Sequence, residues 1–169
     1  MRTARTLTLK EKQFLYSLIG FSCTASGWIN QKLEFRGVKS SGLPASIITG
    51  DILYSSDFGN HPVSQPKIGG RFSNNLSLLE ADSIWIGKSN IYEGKKYRLY
   101  KDWVSFMTNY TDEMAFSGEY DNVFNASTHK SKLKNLSLTK ENSKVYYNNV
   151  LNLITLYNLL EFDIDGKTT

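Results

Sequence analysis

Four residues near the middle of the chain bear on proton transfer: three have carboxylate side chains and one has a hydroxyl. Asp51 and Ser55 are four positions apart, so on a helix they project from the same face. Asp57 follows two residues after Ser55, and Glu80 lies further along the chain. A carboxylic acid with a raised pKa can deliver a proton to a leaving oxygen, whereas a serine hydroxyl is far too weak an acid near neutral pH. The three carboxylates are therefore candidate general acids, and Ser55 is not.

The helix that carries Asp51 and Ser55 is predicted to begin near Pro44. Proline is pre-set for the first helical position, and Gly42 breaks the structure that precedes it. Gly59 and the proline three residues beyond it predict that the helix ends before residue 59. The turns between these limits are marked by Ile47, Ile48, Ile52 and Tyr54.

Four further helical segments are predicted, at residues 8–23, 103–114, 121–127 and 140–160. The last is the clearest, because its apolar residues recur at steps of three and four and so form one face of a helix. These residues are Tyr146, Val150, Leu153, Ile154, Tyr157 and Leu160. Glycines at positions 27 and 37 indicate a connector after the first helix.

Two short strands are predicted at residues 83–86 and 96–100. They flank a polar segment that contains Gly87, Asn90 and Gly94, which indicates a hairpin with a long tip. Residues 60–75 are rich in glycine and proline and are predicted to form a loop. The fold class that follows is mainly α, of the α+β kind: a helical domain with one small β-hairpin lobe.

Size and charge limit the function classes. With 169 residues, 40% of them hydrophobic, the chain can form one compact domain with a real core. A net charge of +4 suits a polyanionic neighbour, which includes cell wall, nucleic acid and acidic protein surfaces. The basic residues are scattered except at Lys95–Lys96 and across residues 130–134. A solvated surface explains that distribution better than a nucleic-acid groove, so nucleic acid is not the expected partner.

Metal and nucleophile chemistry find little support. Cys23 is the only cysteine, which excludes an internal disulfide and a cysteine-based metal site. His61 and His129 lack the spacing of a ligand pair, so neither a metal nor another cofactor is expected. Ser55 with either histidine would make a nucleophile and a base, but no turn motif of that chemistry accompanies them.

The N-terminal region only faintly resembles a secretory signal. Basic residues precede an apolar run at residues 14–21, but Tyr16, Ser17 and Gly20 interrupt the run and Glu11 enters the basic part. The stretch is interpreted as the first helix of the domain. No apolar run approaches the ~20 residues of a membrane span, so no membrane-crossing segment is expected.

Two segments near Ser55 carry a family resemblance. Residues 42–48 read Gly-Leu-Pro-Ala-Ser-Ile-Ile, and residues 54–59 read Tyr-Ser-Ser-Asp-Phe-Gly. They resemble the catalytic helix of the glucosaminidases of glycoside hydrolase family 73, the flagellar and autolysin wall hydrolases, in which the second segment reads Leu-Glu-Ser-Gly-Trp-Gly. Ser55 occupies the position of the family's catalytic glutamate, and Asp57 replaces a glycine.

Three more segments follow in the family's order. Residues 74–76, Asn-Asn-Leu, resemble its Asn-Asn-Leu-Phe-Gly element, and the hairpin with residues 97–100, Tyr-Arg-Leu-Tyr, resembles its small β-lobe. The stretch from residues 147–150, Tyr-Asn-Asn-Val, to Phe162 and Asp163 is similar to its last helix. The resemblance implies a lysozyme-like domain at residues 40–163, preceded by an N-terminal helix and connector packed on it at 1–39 and followed by a tail at 164–169.

The resemblance also implies roles for particular residues. Phe58, Trp85, Tyr97 and Tyr100 are candidates to stack on sugar rings, with packing in the core as the alternative. Without the glutamate, hydrolysis would need a displaced carboxylate, and Asp51, Asp57 and Glu80 are the candidates. Asp51 lies one ~5.4 Å helical pitch from the lost position, which is a large error for an acid that must touch the bond it breaks.

Two functions follow as expectations. The first is a catalytically degenerate glucosaminidase-like domain that serves as a structural or binding component of a virion, in a bacteriophage tail or baseplate, with other virion proteins and peptidoglycan glycan strands as partners. The second is an active endo-β-N-acetylglucosaminidase of peptidoglycan that uses a displaced carboxylate, in which case the protein is associated with the cell wall.

Overall fold

The structure of the protein is a computed structural model that describes residues 9–39, 42–56, 89–92, 95–98 and 103–163. Within these ranges the fold is mainly helical, as predicted. The helices are α1 (Leu9–Phe35), α2 (Ala45–Ser56), α3 (Trp103–Phe116), α4 (Asp121–Asn125), α5 (His129–Ser137), α6 (Ser143–Leu156) and a 3₁₀ helix (Leu159–Phe162). The strands are β1 (Ser89–Tyr92) and β2 (Lys95–Arg98).

Helix α1 is longer than the sequence pattern indicates. The predicted end near residue 23 is wrong, because the buried stripe continues through Ala25, Ile29 and Leu33 at steps of four. Gly27 lies on the exposed side of this helix, where it does not interrupt the buried stripe. The helix ends at Phe35, and Gly37 follows it with a φ of +74°, the left-handed conformation that glycine adopts without strain.

Helix α2 lies at the centre of the helical core. It begins directly after Pro44, as predicted, and the Pro44 carbonyl accepts hydrogen bonds from the backbone N–H groups of Ile47 and Ile48. Residues 42–53 are all buried, because α2 packs against α1, α6 and the 3₁₀ helix. Such a helix has no solvent face over most of its length, so its polar side chains must find partners inside the protein.

The contact between α2 and α6 depends on Gly50. A Cβ atom at this position would lie 2.9 Å from Cγ1 of Val150 and 3.1 Å from Cγ1 of Ile154. The missing side chain therefore lets the two helices approach closely. Four of the residues that define the predicted face of the last helix, Tyr146, Val150, Leu153 and Ile154, are buried in α6, which confirms that part of the prediction.

Helix α1 belongs to the same core as the later helices. It packs against both α2 and α3, and the buried apolar cluster takes residues from all of them. Phe21 stacks on Phe106 with a ring-centroid separation of 5.0 Å, and Tyr110 meets both rings edge-on. In the described part of the chain, no helix is both long and apolar enough to cross a membrane.

The strands β1 and β2 pair antiparallel, with Ser89 opposite Arg98 and Tyr92 opposite Lys95. The predicted long tip is wrong, because Asn90 is part of β1 and only residues 93 and 94 separate the last paired positions. The predicted first strand at residues 83–86 lies outside the described residues, and the hairpin lobe as a whole stays a prediction.

Candidate functional site

The last turn of α2 is the place where the sequence resemblance puts the catalytic acid. Ser55 lies in this turn, four residues or about one helical turn after Asp51. Asp51 is the candidate acid whose side chain the structure describes, and Tyr97 lies in β2. The remaining predicted site residues lie outside the described ranges: Asp57, Phe58, Glu80, Trp85 and Tyr100.

Asp51 is the centre of a buried polar cluster that joins three parts of the fold. Its exposed fraction is 1%. The Tyr146 hydroxyl of α6 donates a 2.6 Å hydrogen bond to its Oδ1 atom, and the Tyr110 hydroxyl of α3 donates a 3.1 Å bond to Oδ2. The Nζ atom of Lys140, in the turn before α6, lies 3.9 Å from Oδ1. Both carboxylate oxygens are therefore engaged inside the protein.

The electrostatics of this cluster keep the two tyrosines protonated. Burial raises the pKa of Tyr110 and of Tyr146 well above 10, and the neighbouring Asp51 carboxylate raises both further. Lys140 also lies 5.2 Å from the centre of the Tyr146 ring, at a distance that allows a cation–π contact. The hydroxyls therefore remain donors across the neutral range, and Asp51 retains its partners.

This geometry gives Asp51 a role in the fold. A general acid must come within hydrogen-bond reach of the bond that it protonates, and access to Asp51 is closed by the helices around it. Releasing its oxygens would leave two buried hydroxyls without an acceptor, which is costly. As a displaced catalytic acid, Asp51 is therefore disfavoured by its own environment.

The same cluster holds the end of α2 against the start of α6. The Tyr54 ring, directly before Ser55, meets the Tyr146 ring edge-on, with centroids 5.3 Å apart and planes at 88°. Tyr146 thus contacts α2 twice, through Asp51 and through Tyr54. The helical turn that carries Ser55 is fixed by packing as well as by its own backbone hydrogen bonds.

A second polar cluster lies at the other end of α2. The backbone N–H and the hydroxyl of Ser46 donate to the two carboxylate oxygens of Asp163, at 2.9 and 2.8 Å. His129 Nε2 lies 2.8 Å from the Ser46 hydroxyl oxygen. Asp163 therefore caps the N-terminus of α2 from the far end of the chain.

Ser46, His129 and Asp163 are the three residue types of a hydrolase triad, but their order of contact differs. In a triad the histidine stands between the serine and the carboxylate and accepts the serine proton. Here Ser46 donates its proton to Asp163, so His129 Nε2 carries a hydrogen and donates to the serine oxygen. Ser46 is 1% exposed, and burial lowers the pKa of His129 although Asp163 opposes this shift. The cluster therefore has a structural role: it joins α2 to α5 and to Asp163.

The position of Lys132 differs from the one expected from the sequence. The sequence pattern places residues 130–134 on a solvated surface, but the Lys132 side chain is buried in the core. Its Nζ atom donates to the carbonyls of Val123 and Phe124 at 3.2 and 3.3 Å, which ties α5 to the end of α4. Desolvation lowers the pKa of Lys132 to about 8. The lysine therefore supplies an additional donor to carbonyls at the C-terminal end of α4.

Metal binding finds no site among the described residues: none of their histidine, cysteine, aspartate and glutamate side chains form a group of three or more that could hold an ion. Cys23 is a free thiol that contacts the Phe162 carbonyl oxygen at 3.8 Å. Its pKa is raised, mainly by desolvation and further by Asp163.

The comparisons with known proteins bear on the fold. No protein-family model matches the sequence, and no curated protein matches it. The structure is similar to the crystal structure of the catalytic domain of the autolysin Auto from Listeria monocytogenes, with a TM-score of 0.59 and 16% sequence identity. The match covers 95% of this chain and 91% of that one. The chain therefore has the fold of an autolysin catalytic domain.

Proposed function

We propose that this chain is a glucosaminidase-like domain that no longer hydrolyses glycan and that serves as a binding or structural component. The observation that carries the proposal is the pair of residues on α2. Ser55 stands where the family's motif has its catalytic glutamate, and Asp51, one turn earlier, is buried under the hydroxyls of Tyr110 and Tyr146.

The chemistry of glycoside cleavage supports the loss of activity. A carboxylic acid must protonate the leaving oxygen, and general acid catalysis typically supplies ~10²–10⁴-fold in rate. Serine cannot replace this carboxylic acid at neutral pH. Freeing Asp51 from its buried hydrogen-bond partners would be energetically unfavourable. The fold can persist without this chemistry, because a scaffold and the site on it are separable.

Two observations support peptidoglycan as the surface that the domain contacts. The fold is similar to that of an autolysin catalytic domain, and the family that the sequence resembles consists of wall hydrolases. The net charge of +4, with a pI of about 9.0, suits a polyanionic surface. Both are properties of the whole domain, so they support contact with the wall independently of the lost acid.

We place the domain in a bacteriophage tail or baseplate. A domain without the catalytic acid suits a component that contacts the wall during infection without dissolving it. Quantitative mass spectrometry of purified virions that carry the gene for this chain tests the placement. A constant copy number per particle is expected, and its absence from the particles would overturn the placement while leaving the wall-binding proposal standing.

Co-sedimentation with purified sacculi, together with release of reducing ends, tests the loss of hydrolysis. Wild type is expected to sediment with sacculi and to release no reducing ends above background. The variant Ser55→Glu returns a carboxylate to the motif position, and any release by this variant would show that the other groups needed for hydrolysis are retained. Ser55→Gln is the matched control, because it has nearly the same shape and no acid.

The alternative function is an active hydrolase with a displaced acid. It rests on two further carboxylates in the sequence, Asp57 two residues after Ser55 and Glu80 after the Asn-Asn-Leu element. Release of reducing ends by wild type, abolished by Asp57→Asn or by Glu80→Gln, would establish it. The corresponding Asp51→Asn variant is expected to lose stability instead.

A further inference from the structure

A cavity between α5 and α6 has a lining unlike that of the Asp51 cluster. Its volume is about 390 Å³. Lys130 and Lys134 line it from α5, and Lys144 and Tyr147 line it from the first turns of α6. We refer to this site as the lysine cavity. It contains neither Ser55 nor Asp51, so it is separate from the region on which the proposed function rests.

The charges around the lysine cavity are unbalanced. Lys130 and Lys134 are four residues apart on one helix, an arrangement in which like charges repel, and Lys144 faces them from α6. Among the residues that the structure describes, no acidic side chain lines the cavity. By contrast, Lys32 contacts Asp112 at 2.7 Å. Within the described part of the chain, none of the ion pairs includes the three lysines of the cavity. An anion in the cavity would remove this repulsion.

The ends of the two helices favour the same sign of ligand. The N-terminus of α6 carries no acidic residue in its first turn, and its N-cap residue Asn142 makes no side-chain cap bond. The partial positive charge of its first N–H groups is therefore not cancelled. At the end of α5, the Ser137 hydroxyl donates to the Lys134 carbonyl and Thr139 donates to the Leu136 carbonyl. These carbonyls already have donors and do not compete for the lysines.

The neutral groups in the lining suit a polyhydroxylated ligand. Tyr147 is half-buried and offers a ring on which a sugar can pack, while Ser143 and Asn148 supply a hydroxyl and an amide. The volume lies within the ~300–1,000 Å³ of small-molecule sites. One sugar or polyol unit fits such a space.

We propose that the lysine cavity binds a phosphate-bearing sugar or polyol unit, as it occurs free or as the repeat of an anionic polysaccharide. Phosphate is the favoured anion because its several oxygens can accept bonds from three ammonium groups at once. A nucleic acid is a poorer match. Proteins bind its single strands in long basic grooves with successive aromatic platforms, whereas this site is a small concavity with one aromatic residue.

Isothermal titration of the full chain with glucose 6-phosphate tests the proposal, with glucose and inorganic phosphate as separate probes. The variant is Lys130→Ala/Lys134→Ala. Its matched control is Lys12→Ala/Lys39→Ala, which removes the same charge at exposed positions of α1 and the segment after it. All four lysines are exposed, so the variants are expected to fold, and circular dichroism confirms this before titration.

Wild type and the control are expected to bind glucose 6-phosphate with equal affinity, and the cavity variant is expected to bind about tenfold more weakly or worse. Inorganic phosphate should bind more weakly than the sugar phosphate, and glucose should not bind. Equal losses in both variants, or no binding by wild type, would overturn the proposal. So would a single-stranded oligonucleotide that binds more tightly than the sugar phosphate through the same lysines. Because no wall hydrolysis or sacculus binding is measured, these outcomes do not depend on the proposed function.

Discussion

The Tyr146 hydroxyl donates a 2.6 Å hydrogen bond to Oδ1 of Asp51, and this bond joins α6 to the centre of α2 across 95 residues of sequence. The Asp51 carboxylate is 1% exposed and accepts a second bond from Tyr110. A charge at this depth is stable only with such partners, so the three side chains act as one unit. The nearest carboxylate before Ser55 is thereby part of the core that holds α2 in place.

Removal of the buried carboxylate should be costly. Asp51→Ala leaves two buried hydroxyls and Lys140 without their acceptor, so we expect a loss of about 3–5 kcal/mol in the free energy of unfolding. Asp112→Ala is the control: it breaks the partly exposed ion pair with Lys32 and should cost about 1 kcal/mol or less. Urea denaturation measures both. Equal losses in the two variants would contradict the structural role of Asp51.

Alkaline pH should weaken the same cluster. The pKa of Tyr146 is raised above its usual 10 by burial and by Asp51, so the folded state retains a proton that the unfolded state releases. This contribution to stability is complete below pH 10 and is lost as the pH rises above it. Tyr146→Phe should therefore show a shallower fall of the free energy of unfolding above pH 10, while Tyr16→Phe, at a position 67% exposed, should behave as wild type. Identical slopes for all three proteins would refute the assignment.

Acidic pH should weaken the cluster of Ser46, His129 and Asp163 at the start of α2. Burial lowers the pKa of His129 below 6.5, so the unfolded state binds a proton first as the pH falls, and stability is lost below pH 6.5. His129→Gln keeps a donor near Ser46 and removes the titration, so its stability should change less between pH 6.5 and 5. The comparison is with His61→Gln, and proton NMR of the histidine ring gives the pKa directly. A His129 pKa above 6.5 would contradict the buried, neutral assignment.

Two glycines in helices should respond in opposite ways to the same substitution. Around Gly27 in α1 no atom lies within 4 Å of an added Cβ, so Gly27→Ala should stabilise the protein by about 0.5–1 kcal/mol through helix propensity. Gly50→Ala meets Val150 and Ile154, and overpacking of ~1–3 kcal/mol should cancel or exceed that gain. Measured by thermal denaturation, the Tm of Gly27→Ala should be higher than that of wild type, and the Tm of Gly50→Ala should not. A matching rise in both would show that α2 and α6 are not tightly packed.

Local patterns in the sequence predict much of the helical structure. Pro44 marks the start of α2, and the spacing of Tyr146, Val150 and Leu153 identifies the buried face of α6. The pattern fails where a local signal is overruled by packing. Gly27 suggests a break, but the buried residues on either side of it keep α1 in register.

Helix α5 is absent from the prediction although a signal for it exists. Thr128 and Ser131 form reciprocal cap bonds at its start, and Leu133 and Leu136 are buried three residues apart. The lysines around these leucines make the segment resemble a solvated charge cluster. Periodicity alone cannot separate Lys132, which is buried, from its exposed neighbours Lys130 and Lys134.

The two buried polar clusters could not be predicted from the sequence, and the reason is different. Asp51 meets Tyr146 across 95 residues, and Ser46 meets Asp163 across 117. No local spacing encodes such pairs, because they depend on how α2 packs against the end of the chain. The resemblance around Ser55 is carried by a local segment and is visible in the sequence, whereas the burial of Asp51 is not.

The release of reducing ends from purified peptidoglycan sacculi by the wild-type chain tests the central claim most directly. With Ser55 in the motif position and Asp51 buried, no release above that of a heat-denatured sample is predicted, at any pH at which the chain remains folded. Release that rises with protein concentration, and that Asp57→Asn or Glu80→Gln abolishes, would contradict the claim and identify an active hydrolase.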